Sequence, residues 1–218
     1  MKIAVLIPCY NEETTIGKVV DDFHRELPKA GIYVYDNASE DDTFTVAEGH
    51  GAVCRKESNR GKGNVIRRMF NDISADVYVM VDGDDTYDSS SVHSLIQSVK
   101  KGADMAVGYR TPYVSDSRVR KYGNRFLNYC VNRFFHVDKS VDLLSGYRGF
   151  SRRFVKNIRL ETEQFEIETE MTIKAYAGNY NVVSVPVNYR NRPAGSFSKL
   201  NVIKDGLAIL GYIIRSRK

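Results

Sequence analysis

The sequence predicts an α/β fold in which a mostly parallel central sheet is covered by helices on both faces. Two observations support this fold class. Short apolar runs of strand length, at residues 2–7 and 76–81, stop abruptly at proline or at aspartate and glycine. Segments of helix length lie between such runs, and this alternation is typical of parallel strands joined by crossover helices. With no internal repeat or linker, the 218 residues are expected to form one domain, residues 1–218.

The first half of the chain supplies most of the predicted sheet. Pro8 is expected to end the strand at residues 2–7, and Asn11 is a suitable N-cap for the helix that follows. Pro28 and Gly31 favour the end of that helix. The remaining elements follow in alternation, with strands at 32–35, 52–54, 76–81 and 103–107 and helices at 41–49, 61–73 and 90–100.

The second half is less regular. A helix that carries aromatic residues and arginines is predicted at 118–135, and a turn-rich segment at 141–151. Apolar spacing predicts a helix at 165–177. Residues 180–189 alternate like a strand, and Pro186 indicates a sheet edge because proline donates no ladder hydrogen bond. The chain continues with a polar loop at 191–199 and an amphipathic helix at 202–214.

Composition places the chain among globular proteins. Hydrophobic residues make up 42% and charged residues 27%, which argues against a disordered, collagen-like or multi-span membrane protein. The charge is divided unevenly, since residues 1–109 carry a net charge of −6 and residues 110–218 a net charge of +11. The basic half suggests an anionic partner such as nucleic acid, a membrane surface or a phosphorylated substrate, and the acidic half could hold a cation.

Cysteine content and the chain ends indicate the compartment. Cys9, Cys54 and Cys130 cannot all pair and show no CxxC spacing, and no secretory segment is recognised at the start. We therefore expect a reducing cytosol. The apolar stretch at 206–214 is shorter than the ~20 residues of a spanning helix, so no transmembrane segment is expected.

Polar segments follow three of the predicted strands, at residues 8–13, 36–42 and 82–85. In a parallel sheet, ligands bind beyond the carboxyl ends of the strands, so these segments are expected to lie at one edge. Asp82 and Asp84, spaced around a glycine, can turn toward one hard cation, and oxygen ligands suit Mg²⁺ or Mn²⁺. A solvated turn is the alternative for an isolated Asp-Gly-Asp, but the position after a buried strand favours a metal site.

Other motifs are weaker. Gly61-Lys62-Gly63 is similar to a phosphate-binding turn before a helix, although the third glycine of the dinucleotide fingerprint is absent. An ordinary turn at the start of a helix is the alternative interpretation. Cys9 has no recognisable histidine and acid partners, and the four histidines show no metal-ligand spacing. The acidic run at 161–170 is expected to be mostly a solvated helix face, with one or two carboxylates directed inward.

Seven segments, in order, resemble the family-2 glycosyltransferases of the GT-A fold and span nearly the whole chain. Four lie in the first half: IPCYNEE at 7–13, YDNASEDD at 35–42, RGKG at 60–63 and VDGDDTY at 81–87. Three lie in the second half: LSGYRGF at 144–150, FEIETE at 165–170 and RPAGSFSKL at 192–200. These three are similar to the polyprenyl-phosphate sugar synthases, the dolichol-phosphate mannose and glucose synthase group.

The resemblance implies a nucleotide-sugar donor site in residues 1–109. The nucleoside would contact residues at the ends of the first two strands, namely Pro8, Tyr10, Glu12 and Asp36. Asp82 and Asp84 would be the DxD pair that holds Mg²⁺ or Mn²⁺, with Asp84 the firmer ligand and Asp85 in place of a common leucine. Lys62 would bind the donor, and a loop that closes on the donor diphosphate would supply Arg192 and Lys199.

The same resemblance implies that residues 110–218 bind a polyprenyl-phosphate acceptor. Arg110, Ser145 and Arg148 match positions that hold its phosphate, and catalysis would be assigned to Asp84, Arg110, Arg148 and Lys199. The expected reaction is a direct displacement that inverts the anomeric carbon. An acceptor phosphate is largely ionised near neutrality, so it needs cationic clamps and no general base. A UDP-sugar is favoured over GDP-mannose by resemblance alone.

Three other functions stay open at this point. A glycan or other hydroxyl acceptor would require a base, for which Glu168 and Glu170 are the candidates. A nucleotidyltransferase also uses paired carboxylates but releases pyrophosphate. A nucleic-acid-binding protein would suit the basic second half, yet the sequence shows no recognition-helix or zinc pattern, so no nucleic-acid partner is expected.

A polyprenyl tail lies in the bilayer, so the protein is expected to act peripherally at the cytoplasmic face of the membrane. The segments at 118–135 and 202–218 carry apolar faces flanked by Arg and Lys. Such faces suit interfacial docking as well as packing on the sheet. A separate membrane protein remains a further candidate partner.

Overall fold

The computed structural model describes residues 1–111, 118–193, 195, 197–199 and 201–217. Over these residues the strands are β1 (Ile3–Cys9), β2 (Gly31–Asp36), β3 (Val53–Lys56), β4 (Val77–Met80), β5 (Met105–Thr111), β6 (Arg148–Ser151) and β7 (Val182–Asn188). They form one sheet of order β3-β2-β1-β4-β6-β5-β7. Pairing is parallel except at β6, which runs antiparallel to both of its neighbours.

Helices cover both faces of this sheet. In the described part of the chain they are α1 (Glu13–Glu26), α2 (Thr43–Gly49), α3 (Lys62–Asp72), α4 (Val92–Lys100), α5 (Arg118–Phe135), α6 (Arg152–Asn157), α7 (Ile167–Ala177) and α8 (Val202–Arg215). One hydrophobic core lies under α1, α2 and α4, and a second under α3, α5, α6, α7 and α8. In β1, Val5 and Ile7 face the first core and Ala4 and Leu6 the second, so the strand is apolar on both faces. The α/β fold class is therefore confirmed.

The carboxyl ends of β1, β2 and β4 lie together, as the sequence predicts. Parallel register places Cys9 opposite Asp36. The Asn37 N–H donates to the Cys9 carbonyl at 2.8 Å, and the Thr15 hydroxyl donates to the Gly83 carbonyl at 2.7 Å. These hydrogen bonds join the three polar segments into one continuous edge.

Pro8 does not end the first strand, which continues to Cys9. The Leu6 carbonyl accepts a hydrogen bond from the Val81 N–H at 3.0 Å, so the backbone groups of Leu6 and of Pro8, two residues on, face β4. Pairing with β4 stops at Leu6 opposite Met80, whereas pairing with β2 continues. The missing N–H of Pro8 therefore falls beyond the end of the ladder on that side.

Asn11 does not cap the first helix. Glu12 occupies the N-cap position of α1, and Asn11 has a positive φ of 52°. Its side-chain oxygen instead accepts a hydrogen bond from the Glu40 N–H at 2.8 Å. The asparagine thus ties the loop after β1 to the loop after β2 and stabilises the edge where the polar segments meet.

The segment at 141–151, expected to be rich in turns, also contains a central strand. β6 has four residues, includes Gly149 and lies between β4 and β5. A strand this short shows no readable alternation, and its place depends on partners distant in the sequence. The short helix α6, which follows directly, is not predicted by the pattern either. The edge position of β7, which contains Pro186, is confirmed.

Candidate active site

A cavity of about 930 Å³ opens at the carboxyl edge of the sheet. Charged side chains line its floor, among them Glu12, Lys62, Asp82, Asp84, Arg110, Glu168, Arg190, Arg192 and Lys199. Apolar side chains of α5 and α8 line one wall, among them Phe126, Leu127, Ile203, Leu207 and Leu210. The cavity is therefore suited to a ligand that has a charged part and an apolar part.

Lys62 joins Asp82 to Glu168 at the floor of the cavity. Its Nζ lies 2.5 Å from Asp82 Oδ1 and 2.5 Å from Glu168 Oε1. Burial is the largest single effect on the pKa of Asp82 and raises it. The charge and hydrogen bond of Lys62, together with the charges of Arg192 and Arg110, outweigh burial, so the pKa is lowered. Burial lowers the pKa of Lys62, and the two carboxylates raise it by more. Lys62 therefore bridges the two carboxylates and holds one Asp82 oxygen.

Asp84 is the second carboxylate of the pair. Its Oδ1 accepts hydrogen bonds from the Thr86 N–H at 3.2 Å and from the Thr86 hydroxyl at 2.6 Å, and its Oδ2 pairs with Arg192. Burial, and then the negative charge of Asp82, raise the pKa of Asp84. The surrounding protein therefore disfavours the ionised form of this carboxylate.

These two aspartates fit a divalent cation. In the described part of the chain no cluster of three or more His, Cys, Asp or Glu residues forms a complete ligand cage. Mg²⁺, however, usually keeps several waters and binds through one or two carboxylates and substrate phosphates. A nearby cation would also favour the ionised form of Asp84, whose pKa burial and Asp82 raise. Asp82 and Asp84 are thus the residues that could hold Mg²⁺ or Mn²⁺.

Arg192 and Lys199 bring positive charge to the acid pair from the loop between β7 and α8. Lys199 Nζ lies 3.3 Å from Glu12 Oε1 and donates to the Asn11 carbonyl at 2.6 Å, while Arg192 lies 3.6 Å from the same Glu12 oxygen. Burial raises the pKa of Glu12, and Lys199 partly offsets that effect. Three positions of the family-like motif in this loop lie outside the described residues: Ala194, Ser196 and Leu200.

The end of the cavity near β2 has an aromatic and amide lining, which includes Tyr10 and Asn37 beside Pro8. Arg60 lies over the Tyr10 ring, 4.9 Å from its centroid, and donates to its hydroxyl at 2.9 Å. Asp36 is buried behind the described lining. Its Oδ2 accepts from a backbone N–H at 3.3 Å, and its Oδ1 has no hydrogen-bond partner among the described residues. This end is suited to a planar, hydrogen-bonding group.

The two glycines of Gly61-Lys62-Gly63 allow another backbone segment of the chain to pack closely against them. A Cβ at Gly61 would overlap the Glu163 carbonyl, and a Cβ at Gly63 would overlap the Thr162 carbonyl. Gly61 also has a φ of 130°, which residues with side chains rarely adopt. The 162–163 backbone therefore packs on the start of α3, which favours the helix-terminal turn over a phosphate-binding turn.

Replacing Gly63 by alanine is expected to lower the free energy of unfolding by about 1–3 kcal/mol, the usual cost of over-packing. The clash would be with backbone atoms, which cannot rotate away. Urea unfolding measures the effect, with Gly49→Ala as the control because a Cβ at Gly49 meets nothing within 4 Å. An unchanged unfolding midpoint for Gly63→Ala would contradict the close packing.

Arg110 lines the cavity and is held by Asp142. Its Nε donates to Asp142 Oδ2 at 2.6 Å and its NH2 group to Oδ1 at 2.8 Å, while the guanidinium lies over the Tyr189 ring at 5.3 Å. Burial lowers the pKa of Arg110, but its neighbours, Asp142 among them, raise it by more, so the group stays charged. No sequence motif identifies Asp142, because its role arises from a contact with a residue 32 positions earlier.

Arg148 and Ser145, which the resemblance assigns to the acceptor phosphate, are both fully buried at 0% exposure. The described lining of the cavity includes neither of them. The Arg148 guanidinium donates to the carbonyls of Leu143 and Ser145, both at 2.8 Å, and to the Thr172 hydroxyl at 2.9 Å. Burial lowers its pKa. The structure thus gives both residues a supporting position behind the 143–146 loop.

Glu168 and Glu170, the two candidate bases on α7, lie in different surroundings. Glu168 lines the cavity, whereas Glu170 is buried away from its described lining. Glu170 accepts hydrogen bonds from the N–H groups of Glu161 and Thr162, both at 2.8 Å, and pairs with Lys174 at 2.8 Å. Glu170 therefore stabilises the loop before α7, and Glu168 is the carboxylate of the two that a ligand can reach.

An α/β sheet with an aspartate pair and a cation-rich cavity at its carboxyl edge is the arrangement of a GT-A glycosyltransferase. The chain belongs to glycosyl transferase family 2, whose model matches residues 4–159. The protein is therefore an enzyme that transfers a glycosyl group.

Named relatives extend over most of the chain. Protein RfbJ of Shigella flexneri is 52% identical over 55% of this chain and 93% of that protein. Glycosyltransferase AglJ of Haloferax volcanii is 34% identical over 99% of this chain and 72% of that protein. The dolichyl-phosphate hexose transferase of the same organism is 27% identical over 98% of this chain and 92% of that protein.

A solved structure confirms the fold. Glucosyl-3-phosphoglycerate synthase from Mycobacterium tuberculosis was crystallised with Mn²⁺, uridine diphosphate and glucosyl-3-phosphoglycerate. It superposes with a TM-score of 0.81 over 99% of this chain and 79% of that chain, at 20% sequence identity. At this identity the likeness establishes the GT-A architecture.

Proposed function

We propose that the protein transfers a sugar from a nucleotide-sugar, a UDP-sugar in preference to GDP-mannose, to a polyprenyl phosphate. The observation that carries the proposal is the two-part cavity, which has a charged floor and an apolar wall formed by α5 and α8. A lipid phosphate has the same two parts. The similarity to a dolichyl-phosphate hexose transferase supports this class of acceptor.

The donor is proposed to bind mainly to residues 1–109 of the single domain. Its nucleoside would lie against Pro8, Tyr10 and Glu12, with Asp36 behind them. A Mg²⁺ or Mn²⁺ ion held mainly by Asp84, with Asp82, would neutralise charge that develops on the leaving diphosphate. The loop cations Arg192 and Lys199 would stabilise the same oxygens. Lys62 is proposed to orient Asp82 instead of contacting the donor, because its Nζ is engaged by two carboxylates.

Residues 110–218 are proposed to bind the acceptor. A phosphate monoester loses its second proton near pH ~6, so its oxygen can attack the anomeric carbon without a general base. A single displacement follows, in which the bond to the diphosphate oxygen breaks and the configuration inverts. Arg110, oriented by Asp142, would offset the repulsion between the two phosphate groups. Arg148 and Ser145 would contribute by supporting the 143–146 loop.

A hydroxyl acceptor is the second candidate, because Glu168 lines the cavity and is a possible general base. Its Oε1 is, however, engaged by Lys62 at 2.5 Å, and this contact would have to break before that oxygen could accept a proton. The phosphate acceptor has no such requirement, and we favour it for that reason.

Release of nucleoside diphosphate tests the proposal. UDP- and GDP-sugars would be supplied with and without undecaprenyl phosphate, in Mg²⁺ or Mn²⁺ and again in EDTA. We expect release that requires both the lipid phosphate and the metal. Release that needs a glycan and no lipid would establish the hydroxyl acceptor, and release of pyrophosphate would indicate nucleotidyl transfer. No release with any donor would overturn the proposal.

We further propose that the protein works peripherally at the cytoplasmic face of the membrane. Large apolar side chains of α5 and α8 are exposed: Tyr122, Phe126, Tyr129, Ile203, Leu207 and Ile214. Phe126, Ile203 and Leu207 also line the cavity, so its apolar wall continues onto this exposed face. Among the described residues no helix is both long and apolar enough to cross a bilayer. A separate membrane protein remains a candidate partner.

Leu207→Asp is expected to weaken vesicle binding by about tenfold or more, because burying a leucine contributes about 1.5–3 kcal/mol. Co-sedimentation with vesicles that contain anionic lipid measures the effect. Val53→Asp is the matched control, since Val53 is 51% exposed but lies on the edge strand β3, at the other end of the sheet from β7. Equal vesicle binding by both variants would contradict the docking surface.

A further inference from the structure

Asp85 follows the acid pair directly but takes no part in the described lining of the cavity. Its backbone has a φ of 56°, a left-handed conformation that aspartate tolerates better than most residues. The carboxylate is nearly buried, lies 3.0 Å from Lys18 Nζ and pairs with Arg190, the second residue after β7. Asp85 thus contacts the start of the loop between β7 and α8, residues 189–201, which carries Arg190, Arg192 and Lys199 and is called the basic loop below.

Arg190 is attached to the turn after β4 at three points. Its guanidinium pairs with the Asp85 carboxylate, and its Nε donates to the Asp85 carbonyl at 2.8 Å. Its backbone N–H donates to the Thr86 carbonyl at 2.9 Å. One contact is therefore made by the backbone of Arg190, and the other two are made by its guanidinium, which the Asp85 carboxylate holds against the turn.

The turn after β4 and the start of the basic loop also contact each other through the residues on either side of Arg190. On one side the rings of Tyr87 and Tyr189 contact each other edge to face, with centroids 5.1 Å apart. On the other side Arg192 pairs with Asp84. Arg190 therefore lies between a rigid aromatic contact and the loop that brings Arg192 to the acid pair.

We propose that Asp85 is a positioning residue for the donor site, which anchors Arg190 and thereby sets the distance between the basic loop and Asp84. This inference rests on the proposed function, because the loop cations affect transfer only if a donor diphosphate binds beside them. Asp85 also neutralises Arg190, which lines the cavity, so that the positive charge this loop offers to the cavity comes from Arg192 and Lys199.

Asp85→Asn tests the inference, because asparagine keeps the size of the side chain and removes its charge. We expect UDP binding in the presence of Mn²⁺ to weaken about tenfold by calorimetry, and kcat/KM for the donor to fall by a similar factor. Binding of Mn²⁺ alone should change less than about twofold, since the carboxylate is directed away from the acid pair. In the double variant with Arg190→Gln, the loss of UDP affinity should be smaller than the sum of the losses in the two single variants, because both substitutions break the same ion pair.

Asp22→Asn is the matched control. Asp22 also lies between Lys18 and an arginine, Arg25, but both of its ion pairs are on α1. Its donor kcat/KM should stay within about twofold of that of the unmodified protein. An equal loss of UDP affinity in both variants would attribute the effect to general surface charge and overturn the inference.

Trypsin cleavage after Arg190 reports the anchoring without any donor or acceptor. We expect the substrate-free Asp85→Asn protein to be cut there about tenfold faster than the Asp22→Asn protein, with thermal midpoints compared in parallel. Unchanged cleavage would overturn the inference, as would weakened Mn²⁺ binding, which would make Asp85 a metal ligand. If the unmodified protein bound no nucleotide, the proposed function would fail, and the cleavage rates would still decide whether Asp85 anchors the loop.

Discussion

Asp84→Asn is expected to lower sugar transfer about a thousandfold, the scale of losing one electrostatic stabiliser of a transition state. Asparagine has the same shape, and its side-chain oxygen can keep the hydrogen bonds from Thr86. It lacks the negative charge that pairs with Arg192 and, in the proposed reaction, with the divalent cation. Mn²⁺ binding, measured by electron paramagnetic resonance without donor, should weaken in parallel.

The same substitution should leave the fold intact. Burial and the Asp82 charge raise the pKa of Asp84, so its ionisation costs stability at pH values above its unfolded-state pKa. A neutral amide removes that cost, and urea unfolding at pH 7 in EDTA should show no loss of stability. Glu163→Gln, which changes an exposed carboxylate beside α3, is the control and should keep full transfer. Full transfer by Asp84→Asn would exclude the proposed role.

Lys62→Met is expected to lower the free energy of unfolding by about 3 kcal/mol, the low end of the cost of breaking a buried ion pair, because it leaves the buried Glu168 and the partly exposed Asp82 without their shared cation. Methionine fills much of the same space, so the effect measures charge more than volume. Asp82 and Glu168 would then repel each other across the cavity floor. Sugar transfer should be lost as well, since Asp82 would no longer be held beside Asp84. Urea unfolding at pH 7 in EDTA gives the stability.

Added Mn²⁺ distinguishes the Lys62 bridge from an ordinary buried ion pair. It should restore more stability to Lys62→Met than to the unmodified protein, because a divalent cation can replace the missing charge between the carboxylates. Lys174→Met is the matched control, since Lys174 also bridges two carboxylates, those of Glu161 and Glu170. That site lies away from the cavity, and Mn²⁺ should not rescue it. A Lys62→Met protein as stable as the unmodified one would show that the Lys62 bridge contributes no stability.

Local patterns in the sequence were sufficient for much of the fold. The apolar runs of β1 and β4 are readable because a strand buried on both faces has no polar alternation to obscure it. β6 was not readable, because four residues with a central glycine carry no period and their place depends on strands far away in the chain. The predicted end of β1 at Pro8 was wrong for a related reason. Proline lacks the N–H that would pair with β4, but β4 pairs with β1 only as far as Leu6, and the sequence of β1 does not show where that pairing stops.

In the candidate site, too, some features could be predicted from the sequence and others could not. Asp82 and Asp84 could be predicted because they directly follow a strand, and the carboxyl ends of parallel strands share one edge. The burial of Arg148 could not be predicted, since an arginine at a family-like position looks the same in sequence whether its guanidinium meets a ligand or backbone carbonyls.

The sequence by itself determined the α/β class, the shared polar edge and the acid pair, because periodicity and strand ends are local properties of the chain. Only the tertiary structure decided that Lys62 bridges Asp82 to Glu168, that Asp142 holds Arg110 and that α5 and α8 form an apolar wall. These features join side chains that are far apart in sequence, and their partners are selected by packing and charge neutralisation, which no local pattern records.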